Sequence, residues 1–192
     1  MDITKNEMLF ILSIFKSPEV DYNANNIAKK LGLTSMGALK IARRLEKEEI
    51  ILSKELGKAR FYKINFDNDY AIQYIKFLLK REAEQSNPYL KMWISDVKKI
   101  KYADAAMLYG SVLRKYKEAN DIDVLLVTDK KRFPKLEKEI ESINNINVKK
   151  IHPMYQTKED IKENIKKRDK PLLNAIKGIA VFGEDFIIKL LK

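Results

Sequence analysis

The chain has 192 residues, 45% of them hydrophobic, with no cysteine and a single histidine. That length suits one large domain or two small ones, and the composition supports a buried core while excluding a disulfide framework, a thiolate metal site and a histidine-rich zinc site. The formal net charge of +11 suits a polyanionic partner such as a nucleic acid or a nucleotide, although a Lys/Glu-rich solvated surface gives the same balance.

No apolar run reaches the roughly 18–20 residues of a membrane span. The N-terminus also lacks the charged, apolar, small-residue order of a secretory signal. The expectation is a cytoplasmic protein with no membrane partner.

The first segment, "TKNEMLFILSIFKS", has helical spacing with Leu9, Leu12 and Phe15 along one face, and Ser17-Pro18 closes it. "NANNIAKKLGL" predicts a short helix with Ile27, Ala28 and Leu31 inward and Gly32 as its stop. Thr34 or Ser35 can cap "MGALKIARRLEKEE", whose Ala38, Leu39, Ala42 and Leu45 keep helical spacing. "IILSKEL" and "ARFYKI" flank Gly57-Lys58 as two strands around a turn.

Three helices followed by a hairpin resemble the winged helix-turn-helix of prokaryotic transcription regulators, over roughly Thr4 to Asn65. The resemblance implies a third helix in the DNA major groove and a wing on the adjacent backbone. It places Ser35, Lys40, Arg43, Arg44 and Lys47 on the helix and Lys54, Lys58 and Arg60 on the wing as DNA-binding residues. Long cations suit phosphates, and Arg also grips guanine edges. A dimerisation or protein-docking module of the same layout is the alternative.

"DNDYAIQYIKFLLKREAEQ" reads as a long amphipathic helix with Ile72, Ile75, Leu78 and Leu79 on one side. Ser86-Asn87-Pro88 breaks it and "YLKMWISDVKKI" resumes. This stretch predicts a connector that pairs with its copy in a homodimer, with Met92 and Trp93 in the core. From about Lys101 strands alternate with helices: "ADAAMLYG", "IDVLLVT", "RFPKLEKEIESIN", "INVKKIHPMY", "TKEDIKENIKKRDK", "PLLNAIKG", "IAVFG" and "EDFIIKLLK". The expected fold class is α+β: a winged helix-turn-helix over 1–66, a helical connector over 67–100, and an α/β domain with a mixed sheet over 101–192.

Within that last domain Asp121 and Asp123 open an apolar strand and point the same way. Two unpaired carboxylates would repel and resist burial, so a divalent cation between them makes sense of the pair. Mg²⁺ is hard, and it takes one or two carboxylates plus substrate phosphates. Upstream, Gly110-Ser111 ends a strand where backbone can approach a ligand, and Val112 to Lys117 can start a helix whose amides favour phosphate. Arg114, Lys115 and Lys117 are near enough in sequence to neutralise a polyphosphate.

A Gly-Ser turn, about ten residues, then Asp-x-Asp before an apolar strand resembles the minimal nucleotidyltransferases of the polymerase-beta superfamily, over roughly Tyr102 to Phe186. The resemblance implies nucleotide-binding roles for Gly110, Ser111, Arg114 and Lys115, and catalytic, Mg²⁺-ligating roles for Asp121 and Asp123. It implies transfer of a nucleotidyl group from a nucleoside triphosphate, ATP favoured, to a hydroxyl. Some such proteins are antitoxins with a helical partner protein.

The pattern departs in one place that bears on activity. Active members carry a third carboxylate on a neighbouring strand, yet "NINVKKIHPMY" has none, and Lys149, Lys150 and His152 stand there. Glu141, Glu159 and Asp160 are the nearest acids. His152 is either a replacement base or a histidine satisfied at a strand end beside Pro153, and the sequence favours the second. Two functions follow: a nucleotidyltransferase tethered to a DNA-binding module, or a regulator whose second domain senses a nucleotide or a partner without turning it over.

Overall fold

The computed structural model describes residues 3–192. Contacts divide the chain into two compact units, one of residues 1–78 with 191–192, the other of residues 79–190.

In the first unit α1 (Lys5–Phe15) begins with a capping box: the Glu7 amide donates to the Thr4 hydroxyl at 3.2 Å and the Thr4 amide to Glu7 Oε2 at 2.9 Å. Its burial is wider than the one face expected from Leu9, Leu12 and Phe15. Met8, Phe10, Ile11 and Ile14 are also buried, and Leu9 is only half-buried. A helix apolar almost all round is enclosed rather than laid on a surface.

A two-residue strand unrecognised in the sequence, β1 (Tyr22–Asn23), precedes α2 (Ala24–Leu31). Asn23 accepts from the amides of Asn25 and Asn26 and so caps that helix, which stops at Gly32 in the left-handed region. Thr34 caps α3 (Ser35–Lys47) through the Gly37 amide at 3.0 Å. Ala38, Ala42 and Leu45 of α3 are fully buried.

The hairpin β2 (Ile51–Leu56) and β3 (Ala59–Ile64) pairs from Ile51↔Ile64 to Leu56↔Ala59. Gly57 supplies the positive φ of +61° that its two-residue turn needs. β1 adds antiparallel to β3, giving the order β1-β3-β2. Three helices and this small sheet are a winged helix-turn-helix.

The long helix α4 (Asp69–Glu84) carries the division between the units, which falls after Leu78. Asn87 caps α5 (Pro88–Val97), with proline in its first turn. Leu90, Trp93, Ile94 and Val97 of α5 belong to the core of the second unit. Trp93 is buried as expected, but its neighbour Met92 is 48% exposed, because consecutive helical residues cannot face one way.

The second unit is built on a mixed sheet of order β6-β5-β4-β7. β4 (Ala105–Tyr109) is antiparallel to both β5 (Ile122–Val127) and β7 (Ile179–Phe182), and β5 is parallel to β6 (Ile151–Gln156). Ala106, Leu108, Val124 and Leu126 face a core shared with α5 and with α7 (Phe133–Ile146). α9 (Lys170–Ile176) lies against β4 and β5, with Leu172, Leu173 and Ile176 buried. α8 (Lys158–Lys166) and α10 (Glu184–Leu191) complete the unit.

The third strand starts later than the alternation in "INVKKIHPMY" suggests. Ile146 still belongs to α7, and both Ile146 and Val148 are exposed. Asn144 sets the start of β6, accepting from the Ile151 amide at 2.7 Å and donating to its carbonyl at 3.1 Å.

Candidate functional site

Three adjoining strand ends assemble the site of the second unit. Tyr109 ends β4 and pairs with Asp123 of β5, which in turn pairs with His152 of β6. Side chains at paired positions share a face. Asp121, Asp123 and His152 accordingly each bring one ligand atom within 4.8 Å of the other two. His152 Nδ1 lies 3.3 Å from Asp123 Oδ1.

Beside this group the chain turns at Gly110, where φ is +81°. A Cβ there would sit 1.9 Å from Asp123 Oδ2 and 2.8 Å from its carboxyl carbon. The glycine turn and the carboxylate are therefore in direct apposition, and only glycine fits.

The turn opens into a cleft of about 580 Å³ lined by Gly110, Ser111, Arg114, Asn174 and Lys177 among others. This volume falls in the range of small-molecule sites, roughly 300–1,000 Å³. Gly178 closes the far wall: α9 ends so near β4 that a Cβ on Gly178 would lie 2.3 Å from the Leu108 carbonyl oxygen. Burial first, then the charges of Asp123 and Asp121, push the Tyr109 phenol up to about 12.

Several sequence expectations fall differently here. The helix expected over Val112 to Lys117 is one turn, α6 (Val112–Lys115), followed by a 3-10 turn at Tyr116–Glu118. Few aligned peptides leave little macrodipole, so anion binding rests on the cations and the Gly-Ser backbone rather than on a helix end. Arg114 lines the cleft, whereas Lys115 is an exposed residue outside its lining.

The nearby acids do not substitute for the missing carboxylate. Asp160 is engaged in a capping box with Thr157, and Glu141 and Glu159 are exposed on other helices. Lys149 is bonded to the carbonyls of Lys117 and Ala119, and Lys150 to those of Asn144 and Asn147. His152 is hydrogen-bonded near the start of its strand, and the strand register sets it against Asp123. The Asp-x-Asp spacing and a histidine on the next strand were the available signal. Asn174 and Lys177 were missed, since nothing local marks α9 as a cleft wall.

In the first unit α3 exposes Ser35, Lys40, Arg43 and Lys47, and the hairpin exposes Lys54, Lys58 and Arg60. Arg43, Lys58 and Arg60 line one groove of about 370 Å³ between helix and wing. Arg44 does not join this outward set. It is half-buried, ion-paired to the buried Glu7, and donates to Glu48 Oε1 at 3.0 Å. Arg60 is held by Glu55 at 2.7 Å, with Glu46 at 3.7 Å. Met36, beside Ser35, is 71% exposed, an apolar residue on this surface that the sequence reading passed over.

No protein-family model matches the chain, and no curated protein matches it. Solved structures with some likeness include a point mutant of Lactococcus lactis ZitR, at 14% identity and TM-score 0.38, covering 53% of this chain and 64% of that one. MepR, a transcription regulator of the Staphylococcus aureus multidrug efflux pump MepA, gives 15% and 0.36, covering 51% and 77%. The adhesin competence repressor AdcR of Streptococcus pyogenes gives 13% and 0.36, covering 52% and 69%. This chain thus spans less than two thirds of the length of the ZitR mutant. Among the described residues no helix is long and apolar enough to cross a membrane.

Proposed function

We propose that the chain is a DNA-binding regulator whose second unit binds a nucleoside triphosphate, ATP favoured, together with a divalent cation. The observation that carries the nucleotide half is the cluster of Asp121, Asp123 and His152, whose Asp123 carboxylate lies against Gly110, a residue of the cleft lining. Two carboxylates in reach of one another fit a hard cation such as Mg²⁺, which would offset the triphosphate charge. Arg114 and Lys177 supply positive charge along the cleft wall, and the Ser111 hydroxyl and backbone amides can donate to phosphate oxygens.

The DNA half is supported by the cationic surface of α3 and the wing. Arg43, Lys40, Lys47, Lys54 and Lys58 supply phosphate contacts, and Ser35 with Met36 opens the helix that would enter the major groove. Met36 suits apolar contact with a thymine methyl. Arg44 holds the helix in place rather than touching DNA.

Nucleotidyl transfer is the second reading, favoured by the retained Gly-Ser turn and Asp pair. An acceptor oxygen would bond to the α-phosphorus while the bond to the bridging oxygen breaks and pyrophosphate leaves. No carboxylate at the site is placed to take the acceptor's proton, and loss of such help costs about 10²–10⁴ in rate. That weighs toward binding without turnover.

Calorimetry with ATP and Mg²⁺ tests the pocket: binding is expected in the parent protein and lost in Asp121→Asn with Asp123→Asn. Duplex retention with and without ATP tests the coupling. Label passing from α-labelled ATP to protein or RNA would establish transfer and displace the regulator reading; ATP binding without label transfer supports it.

A further inference from the structure

We infer that His152 completes the cation site as a nitrogen ligand, so that the site prefers a first-row transition ion of the Mn²⁺ kind over Mg²⁺. The inference rests on the reading of Asp121 and Asp123 as metal ligands and goes beyond it in naming the third ligand and the class of ion.

The geometry comes from the parallel pairing of β5 and β6. Asp123 and His152 are register partners, so their side chains leave the sheet on the same face. The ligand atoms of the three residues span at most 4.8 Å. Octahedral bonds of about 2.0–2.1 Å place ligand atoms roughly 3 Å apart when adjacent and about 4 Å apart when opposite. Small side-chain rotations close that difference. The imidazole is free to make them, because 73% of its side chain is exposed, while Asp123 is fixed at 19% exposure under the Gly110 turn.

Ligand chemistry then decides the ion. Mg²⁺ takes oxygen ligands and gains little from an imidazole. Transition ions accept imidazole nitrogen beside carboxylates, and their affinity for such mixed sites rises along the Irving–Williams series. Among them Mn²⁺ keeps most of the taste for carboxylate and phosphate oxygen that a triphosphate pocket demands. A set of two carboxylates and one imidazole thus serves Mn²⁺ with all three groups and Mg²⁺ with two.

The test is Mn²⁺ titration of the full chain followed by electron paramagnetic resonance, with Mg²⁺ as competitor. Three variants accompany the parent: His152→Ala, His152→Asp, and Asp121→Asn with Asp123→Asn. The parent is expected to bind Mn²⁺ about tenfold or more tighter than Mg²⁺, with nitrogen hyperfine coupling in the bound signal. His152→Ala should lose that coupling and about tenfold in Mn²⁺ affinity, leaving Mg²⁺ affinity nearly unchanged. His152→Asp should narrow the gap by strengthening Mg²⁺.

Equal loss of both ions in His152→Ala, or Mn²⁺ binding without nitrogen coupling, overturns the inference and leaves a plain histidine–aspartate hydrogen bond. Unchanged Mn²⁺ binding in the double Asn variant removes the pocket reading as well, so the two failures are distinct.

Discussion

Replacing Gly110 by alanine isolates the contact on which the candidate site depends. Its φ of +81° is a region that costs an L-residue about 1–2 kcal/mol. The added methyl would also lie 1.9 Å from Asp123 Oδ2 and 3.0 Å from Asp123 Cβ, so the whole carboxylate must swing away. Displacing a packed side chain adds about 1–3 kcal/mol. Together the change should destabilise the second unit by about 2–5 kcal/mol.

The sole tryptophan, Trp93, is buried in the core of that unit, so urea unfolding followed by its fluorescence reads the relevant transition. Two of these contributions separate in a double-mutant cycle. In an Asp123→Ala background the carboxylate clash is gone and only the tight 3.0 Å approach to the retained Cβ is left, so Gly110→Ala should then cost little more than the backbone share of about 1–2 kcal/mol. Metal affinity of Gly110→Ala alone should fall at least about tenfold, because the proposed ligand Asp123 would be turned out of place. Equal costs in both backgrounds, or parental metal affinity in the single variant, would refute the claim that the turn positions the carboxylate.

Gly183→Ala provides the contrast. Its Cβ would meet backbone, 2.3 Å from the Asp104 carbonyl oxygen and 2.7 Å from Ala105 Cα, so urea unfolding should show a larger loss than Gly110→Ala that Asp123→Ala does not rescue. Arg43→Ala should leave stability within about 0.5 kcal/mol and reduce the salt slope of duplex binding. Arg44→Ala should instead cost about 1–3 kcal/mol, since it strands the buried Glu7 carboxylate, and thermal denaturation distinguishes the two. The raised phenol of Tyr109 stabilises the fold at pH below about 10, its ordinary value, and that contribution is lost as pH rises toward about 12. Tyrosinate absorbance should lose one late-titrating phenol in Tyr109→Phe, Tyr74 keeping its own raised value, and that phenol should move only part-way down in the double Asn variant, because burial is its first cause.

Much of the fold was legible because its signals are local. Gly32, Thr34, Gly57 and Asn87 each set a boundary with their own backbone or side chain. The Gly-Ser turn and the Asp pair were legible for the same reason, as each lies at the end of an apolar strand. What escaped the sequence depends on distant partners. β1 exists only by pairing with Tyr62 and Phe61, some forty residues later. Arg43 and Arg44 are alike in a helical pattern, and what separates them is Glu7, which takes Arg44 out of the solvent-facing set.

His152 belongs to the same class. Beside Pro153 it has the look of an idle strand-end residue, and its own neighbours never alter that. Its place in the site comes only from the pairing of β5 with β6, which fixes Asp123 opposite it. A one-residue slip would place Ile151 or Pro153 there instead and turn the imidazole to the opposite face. The register is held by buried Ile122 and Val124 on one strand and Ile151 on the other, and by the Asn144 cap that sets where β6 begins. Asn144→Ala should therefore weaken metal affinity from a position outside the site, and Asn144→Asp, which keeps the acceptor for the Ile151 amide, should restore part of it.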